Sequence, residues 1–456
     1  MKPKTVLLIS LLMLAKFSYA QNFKLLRFDE DYSALKDSSR TFYNRLKYLP
    51  LSESGRTYVS FGGELRGELD RAEHEDWGAS NVGRNIFLLQ RYQLHADLHL
   101  SSRIRIFGQL RSGLENGRKN GPRPIDEDQL NVQNLFIDLI PYKGMDDRMT
   151  IRLGRQELQY GSGRLLDVRE GPNLRLYFDG AKVAYTSSKW NVDAFLMAAG
   201  RVKTGVFDNP IISRKSSLWG IYSTHNAAKM LNIDLYYMGI NRGETRFDDG
   251  VAAETRHTVG TRLWAIGNEL LYNFEIGYQL GKFGAADIRA WGGSMDVAYR
   301  FANLNGAPTV KLRSDFISGD DAKGDGKLGT FNALYPNGGY FGMNPQAGPA
   351  NLLSIHPNLS WNPVGNVLLS LETVFSWRQS PQDGIYLPDG TLRLGSSNSD
   401  SQYIGTAYIA TVSWQISKFL SYNAGVQYFK TGDFINDVIP QHKDGVFISS
   451  LLGFKF

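Results

Sequence analysis

The 456-residue chain contains no cysteine. A disulfide framework, a thiolate metal site and a lipid-anchored N-terminal cysteine are therefore excluded. Long apolar runs are missing too. Residues 6–14 form the one such stretch, far short of the roughly 20 residues a spanning helix needs. Mean hydropathy is -0.30, too low for a helical membrane protein but compatible with strands that are apolar on one face only. No proline- or serine-rich linker divides the chain, so it reads as one large unit. Catalytic signatures are also lacking. Gly161-Ser162-Gly163 does not have nucleophile-elbow spacing, no complete phosphate-binding loop occurs, and no acid–base constellation stands out. The sequence requires no cofactor and does not read as an enzyme.

What is present begins with an export signal. Lys2 and Lys4 precede an apolar stretch, Val6 to Leu14, and Ser18-Tyr19-Ala20 supplies small residues before a cut at Ala20/Gln21. Residues 1–20 thus have the pattern of a signal peptide. Losing Lys2, Lys4 and Lys16 lowers the formal charge from +6 to +3, so the basic balance argues for no nucleic acid partner. Export without a later membrane helix leaves the periplasm, the medium or the outer membrane of a Gram-negative cell.

From residue 56 to 456 about eighteen short segments alternate apolar and polar residues. They fall at 57–70, 86–100, 103–114, 131–140, 149–157, 176–186, 189–200, 216–224 and 230–241. The second half continues with 255–265, 269–281, 287–302, 308–318, 352–362, 366–379, 401–416, 420–431 and 445–456. Connections are by turns short (101–102, 187–188, 266–268) and long (71–85, 115–130, 158–175, 242–254, 319–351, 380–400), with 282–286 as the exception. This pattern predicts an all-β fold: a single closed antiparallel transmembrane β-barrel with short periplasmic turns and long extracellular loops. Tyr272, Phe274, Ile276, Tyr278 and Leu280 face lipid in one strand, and Ile404, Tyr408, Ala410, Val412, Trp414 and Ile416 in another. A soluble sandwich is the rival all-β reading, but it explains neither the terminal Phe456 nor the alternation of loop lengths. Outer-membrane lipid and lipopolysaccharide are the surroundings such a barrel implies. Residues 21–55 alternate little and read as an N-terminal periplasmic extension, or else as a segment packed in the lumen.

Apolar residues on lipid force charge inward, since a midplane Arg or Lys on lipid costs roughly 2–4 kcal/mol. By phase the inward bases are Arg66, Arg91, Arg103, Arg105, Arg111, Arg152, Lys182, Arg262, Arg300, Lys311, Arg313, Arg378 and Lys455. The inward acids are Glu64, Glu68, Asp97, Asp138, Asp193, Asp234, Glu275, Asp296, Asp315 and Glu372. Near balance leaves two roles open for each: cross-strand ion pairing that holds the wall, or contact with an anionic solute. Arg91, Arg103, Arg105 and Arg111 fall on adjacent strands, as do Arg300, Lys311 and Arg313, making two basic stripes. Asp315 lies beside the second as a counter-charge.

The stretches Ile151 to Leu158, Tyr160 to Pro172 and Tyr177-Phe178-Asp179-Gly180 resemble the signature of the bacterial alginate export family. Ser318-Gly319-Asp320, Asp325-Gly326, Thr330-Phe331-Asn332, Leu334-Tyr335-Pro336 and Tyr340-Phe341-Gly342 resemble its second hallmark. Leu25 to Tyr32 and Leu46 to Pro50 are similar to its N-terminal region. The resemblance implies an outer-membrane barrel with an electropositive constriction, through which an anionic polysaccharide leaves the cell, with periplasmic export proteins as candidate partners. Within the matching block Arg152, Arg155, Arg164, Arg169 and Arg175 are the implied carboxylate contacts, and Glu157, Asp167, Glu170 and Asp179 their counter-charges. A guanidinium presents a planar fork that suits a uronate carboxylate. The alternative is that Arg164 to Glu170 is a loop locked by its own ion pairs, with Gly161, Gly163 and Gly171 setting its turns.

Metal chemistry finds little support. His95 and His99 share a strand face ~13 Å apart, too far to chelate one ion. Asp320, Asp321 and Asp325 are oxygen-rich enough for Ca²⁺ yet lack the helix-loop-helix spacing. Three functions are consistent with the sequence: a passive polysaccharide-export porin with loops 158–175 and 319–351 as gates or plugs, a general diffusion porin for small anionic nutrients, and a non-transporting barrel acting as enzyme or adhesin.

Overall fold

The computed structural model describes residues 23–38, 41–80, 82–213, 215–397 and 399–456; the signal peptide and cleavage point expected from the sequence lie outside them. Eighteen long strands build the molecule. They are β1 (Tyr58–Glu73), β2 (Arg84–His99), β3 (Ile104–Asn116), β4 (Asp128–Lys143), β5 (Arg148–Gln156), β6 (Phe178–Thr186), β7 (Trp190–Ala199), β8 (Ser216–Ala228) and β9 (Leu231–Phe247). The wall continues with β10 (Gly250–Ile266), β11 (Leu270–Phe283), β12 (Ala286–Arg300), β13 (Thr309–Ile317), β14 (Leu352–Val364), β15 (Val367–Trp377), β16 (Tyr403–Gln415), β17 (Leu420–Thr431) and β18 (Gly445–Lys455).

Each strand pairs antiparallel with its neighbour in sequence, and β18 pairs with β1 from Glu64↔Lys455 to Glu73↔Val446. Closure leaves no free edge, the condition for a strand-built wall in hydrocarbon. Beyond the seam, the backbones of Gly63 and Phe456 exchange two hydrogen bonds of 3.0 and 3.1 Å. The burial pattern is inverted relative to a soluble protein. Leu94, Leu135, Leu196, Ile221, Ile276 and Leu371 stand exposed on the outer face, while Glu64, Arg91, Asp97, Arg111, Asp138 and Asp234 are buried within.

Strands run further than foreseen at the long-loop end. The loop expected at 242–254 is a two-residue turn, Asp248-Asp249, because β9 continues to Phe247 and β10 starts at Gly250. Above the lipid neither face of a strand meets hydrocarbon, so alternation ceases to report on structure there. A bulge between Arg242 and Thr245 interrupts the period as well. Ile404, read as lipid-facing, is wholly buried in the main inner apolar cluster. The register slips between Ser376↔Gly405 and Trp377↔Tyr403, which displaces it from the outer face.

The lumen is largely filled. Residues 157–177, between β5 and β6, and 318–351, between β13 and β14, fold inward and pair with each other. Tyr335 donates its amide to Leu165, Asp167 to Tyr335 and Asn337 to Gly163. Leu158, Leu165, Leu166, Phe331, Leu334, Tyr335 and Phe341 from these loops pack on wall residues such as Phe178, Phe195, Met238 and Ile317. Gly161 and Gly163 take φ of +58° and +79°, a left-handed backbone that glycine adopts without strain. From the short-turn end, residues 24–32 enter beside β18, β1 and β3–β5, where Arg175 of the inserted loop donates to the Leu25 carbonyl. Phe28 packs edge-on against Phe107 and Phe136 at 5.8 and 5.2 Å, and Arg27 donates to the carbonyls of Gly63 and Phe456.

Candidate functional site

Buried charge survives only when paired, and most of the inward arginines are committed in this way. Arg105 holds Asp97 through two bonds of 2.6 and 2.9 Å, Arg152 holds Asp138 at 2.7 and 2.9 Å, and Arg155 holds Asp179 at 2.8 and 3.1 Å. Arg111 meets Asp128 at 2.7 Å, Arg262 meets Asp234 at 3.0 Å and Lys182 meets Asp193 at 3.1 Å. Arg164, Lys311 and Arg313 converge on Asp296, with Asp315 as a second partner of Arg164. The Tyr340 ring lies against the guanidinium groups of both Arg164 and Arg313, at 4.6 and 4.4 Å.

The inserted loop 157–177 is clamped to the β1–β2 wall by a cluster of alternating sign. Arg91 reaches Glu64 at 3.1 Å, Glu170 at 2.9 Å and three carbonyls of residues 170–173. Arg175 pairs with Glu170 and, at 3.7 Å, with Glu157. Arg66 donates to the carbonyls of Glu170 and Gly171 and pairs with Glu68. Burial by itself raises the Glu170 carboxyl, but Arg175 and Arg91 outweigh it and hold the group well below the usual carboxylate range. Asp167 stays within its own loop, accepting from Gln159 and the Arg169 amide.

These segments leave open a cavity of about 800 Å³ against β17, β18, β1 and β2. Its lining extends from Glu75, Asp76, Ser80 and Lys119 at the long-loop rim to Ser421, Gly453 and Lys455 at the short-turn end. The cavity lies to one side of the barrel, along the closure seam. Arg66, Arg118, Lys119, Arg123, Arg169, Arg393 and Lys455 line it, against Glu64, Glu68, Asp70, Glu75, Asp76, Glu170 and Asp389. Four of these bases are already engaged: Arg66 with Glu68, Arg118 with Glu75 and Glu115, Arg123 with Glu75 and Asp126, and Lys455 with Glu64.

Lys119, Arg169 and Arg393 form no ion pair among the described residues. Lys119 donates to the Val82 carbonyl at 3.0 Å and Arg169 to that of Pro336 at 3.3 Å. Arg393 lies over the Trp77 ring at 5.5 Å, with its buried Nε unpartnered. Burial pushes both Arg169 and Arg393 below their ordinary values, yet guanidinium stays charged throughout the accessible pH range. Arg169 sits at φ +57°, a strained backbone for a non-glycine residue and a feature that concentrates at functional positions.

Of the arginines singled out by phase or motif, Arg66 and Arg169 line the cavity. Arg91, Arg111 and Arg175 are buried in the clamp or the wall, and Arg105, Arg152 and Arg155 are tied to wall carboxylates. Arg103 and Arg300 stand exposed at the short-turn end rather than in the lumen. Arg378 lies past the end of β15, wholly buried among loop carbonyls. Lys119, Arg123 and Arg393 were missed because they sit in loops, where strand phase is silent; Arg66 and Lys455 were on the inward face but outside the motif. Asp320 is buried and accepts from the Gly329 amide at 2.6 Å, whereas Asp321 and Asp325 are exposed. Among the described residues no group of three carboxylate or imidazole side chains is arranged to hold a metal ion.

Solved structures share this architecture at low identity. The outer membrane protein opdK from Pseudomonas aeruginosa aligns over 87% of this chain and 98% of its own, with TM-score 0.59 and 10% identity. A BenF-like porin from Pseudomonas fluorescens covers the same shares with TM-score 0.58 and 11% identity. OccK2 (OpdF) from Pseudomonas aeruginosa, solved in complex with glucuronate, covers 87% and 96% with TM-score 0.54 and 10% identity. No curated protein sequence matches the chain. Fold and family are those of outer-membrane transport porins rather than enzymes. The sequence profile described as alginate export matches residues 57–449, from the first strand into the last. The chain belongs to the alginate export family.

Proposed function

We propose that this outer-membrane channel passively conducts an anionic saccharide built of uronate units, outward, along the seam-side passage. The observation that carries the reading is the placing of three cations without carboxylate partners, Lys119, Arg393 and Arg169, on one route past the inserted loops. A carboxylate moving along it would exchange water for one guanidinium or ammonium after another. Interleaved Glu68, Asp70 and Asp389 keep any one station from holding too tightly. Family membership supports a uronate polymer as cargo, and periplasmic export proteins would then deliver it.

Planar-bilayer recording tests this. Oligouronates should block the ionic current, and K119Q, R169Q and R393Q combined should weaken the block about tenfold or more, the loss of ~1.4 kcal/mol or more in charge-assisted contacts. Equal block by neutral oligosaccharides of the same length would sink the polyuronate reading.

A second reading, a diffusion porin for small anionic nutrients, draws on the two inserted loops, which confine the route to one side of the barrel. OccK2, similar in fold, is held in complex with a monomeric uronate. Chain length separates the two: block times that lengthen with each added uronate favour the polymer, while block confined to monomers favours the nutrient porin.

A further inference from the structure

The inward phase of a water-filled barrel should be polar, and here it is broken by several patches of apolar wall residues. Inserted segments cover nearly all of them. Phe107 and Phe136 lie under Phe28. Phe178, Phe195, Met238 and Ile317 lie under the loops 157–177 and 318–351. Val374, Ala407 and Ile409 pack against Met343. One patch differs. Ala72, Phe87 and Leu89, with Phe447 seated on them, form a cluster drawn from the wall alone, and all four line the open passage together with Leu451. The register brings them side by side, Ala72 opposite Phe447 and Glu68 opposite Leu451.

Ala72, Phe87 and Leu89 are already buried, so it is the half-buried edge, Phe447 and Leu451, that would gain by losing water, and the groups around it define what would cover it. Ile125, an exposed loop residue, lines the same cavity. So do the uncommitted cations Lys119, Arg169 and Arg393. Arg118 lies over the Phe87 ring at 3.7 Å, leaving Phe447 and Leu451 as the half-buried members. Apolar wall and unpaired cations lining one cavity complement a solute with a carboxylate on one side and a ring of C–H groups on the other.

We infer that Phe447, Leu451 and Ile125 form an apolar vestibule that selects cyclic carboxylates over open-chain, fully hydrated anions of the same charge. This deepens the channel reading above by adding ring shape to charge as a criterion. The cations attract and hold the carboxylate; the vestibule acts on the ring face.

The test compares two monoanions, cyclohexanecarboxylate and gluconate, as blockers of chloride current through the full-length channel in planar bilayers. Cyclohexanecarboxylate should block at about tenfold lower concentration, the ratio that ~1.4 kcal/mol of apolar contact produces. In the double variant F447Q/L451Q that ratio should fall toward one while chloride conductance persists. Ile125→Ser, a loop change with no wall packing to lose, should lower the ratio in the same direction if the double variant fails to assemble. Equal block by the two anions in the unaltered protein overturns the vestibule, and so does a ratio unchanged in the variants. Its failure is separable from that of the uronate reading: block by oligouronates that depends on Arg169 and Arg393 but ignores ring shape removes the vestibule alone, whereas a ring preference without any oligouronate block removes the uronate chain alone.

Discussion

Arg91, on the second strand, donates to Glu170 at the tip of the inserted loop across 2.9 Å. That contact joins wall to loop and fixes one side of the passage. With Glu170→Gln, Arg66 in the lining and Arg91 and Arg175 buried behind it would keep one counter-charge fewer. Anion permeability relative to cations should rise, read as a shift of reversal potential in a salt gradient; an unmoved potential would mean that solutes do not sense this carboxylate. The Glu170 side chain is 35% exposed, so the accompanying loss of stability should be modest, about 1–3 kcal/mol rather than that of a fully buried pair.

Proton linkage gives two carboxyls, Glu170 and Asp320, opposite pH behaviour. The folded value of Glu170 lies below its unfolded one. Its contribution is therefore complete above about pH 4 and is lost only as pH falls through the lower folded value. Asp320 is the reverse. Burial and the nearby Asp383 push its carboxyl up to about 6, so the neutral form is favoured in the folded loop and stability declines as pH rises from about 4 to 6. Protease protection of the loop 318–351 should therefore weaken between pH 4 and pH 7; in 157–177 the Asp167 carboxyl, raised by burial, works against Glu170, so protection there should change less. Asp320→Asn should flatten the first curve.

Phe28 is 3% exposed between Phe107 and Phe136. Replacing it by alanine should cost about 3–5 kcal/mol of docking energy and free residues 24–32 from the mouth. A rise in single-channel conductance is the expected result; unaltered conductance would show that this segment does not limit flow.

Arg378 donates to the carbonyls of Ser399, Ser401, Pro381 and Asp383 and lies 3.9 Å from the Phe434 ring. Arg378→Ala would orphan several buried acceptors at about 1–3 kcal/mol each. Cleavage within 378–402 by added protease should accelerate at least tenfold, with little change in ion selectivity. Lysine should rescue poorly, since one ammonium cannot reproduce the planar fork.

The barrel was legible because lipid imposes a two-residue period: Tyr272 to Leu280 announces its strand, and all eighteen strands lie close to where alternation puts them. Where lipid stops, so does the signal, as at Thr245 to Glu254. The passage was harder to read. Phase places Arg91 and Arg111 inward correctly but cannot tell an arginine facing water from one spent on Glu170 or Asp128. That distinction depends on loops 157–177 and 318–351, whose path through the lumen follows from Tyr335 meeting Leu165, a pairing remote in sequence. Lys119 and Arg393, which form no ion pair among the described residues and line the cavity, carry no periodic mark at all.

Because the route lies along the joint between first and last strands, it comes into being only when the two ends of the chain meet. A cylinder still unzipped at Glu64 and Lys455 would hold its inserted loops and yet lack one bank of the conduit. On the proposed route, closure of the barrel and the onset of conduction would thus coincide.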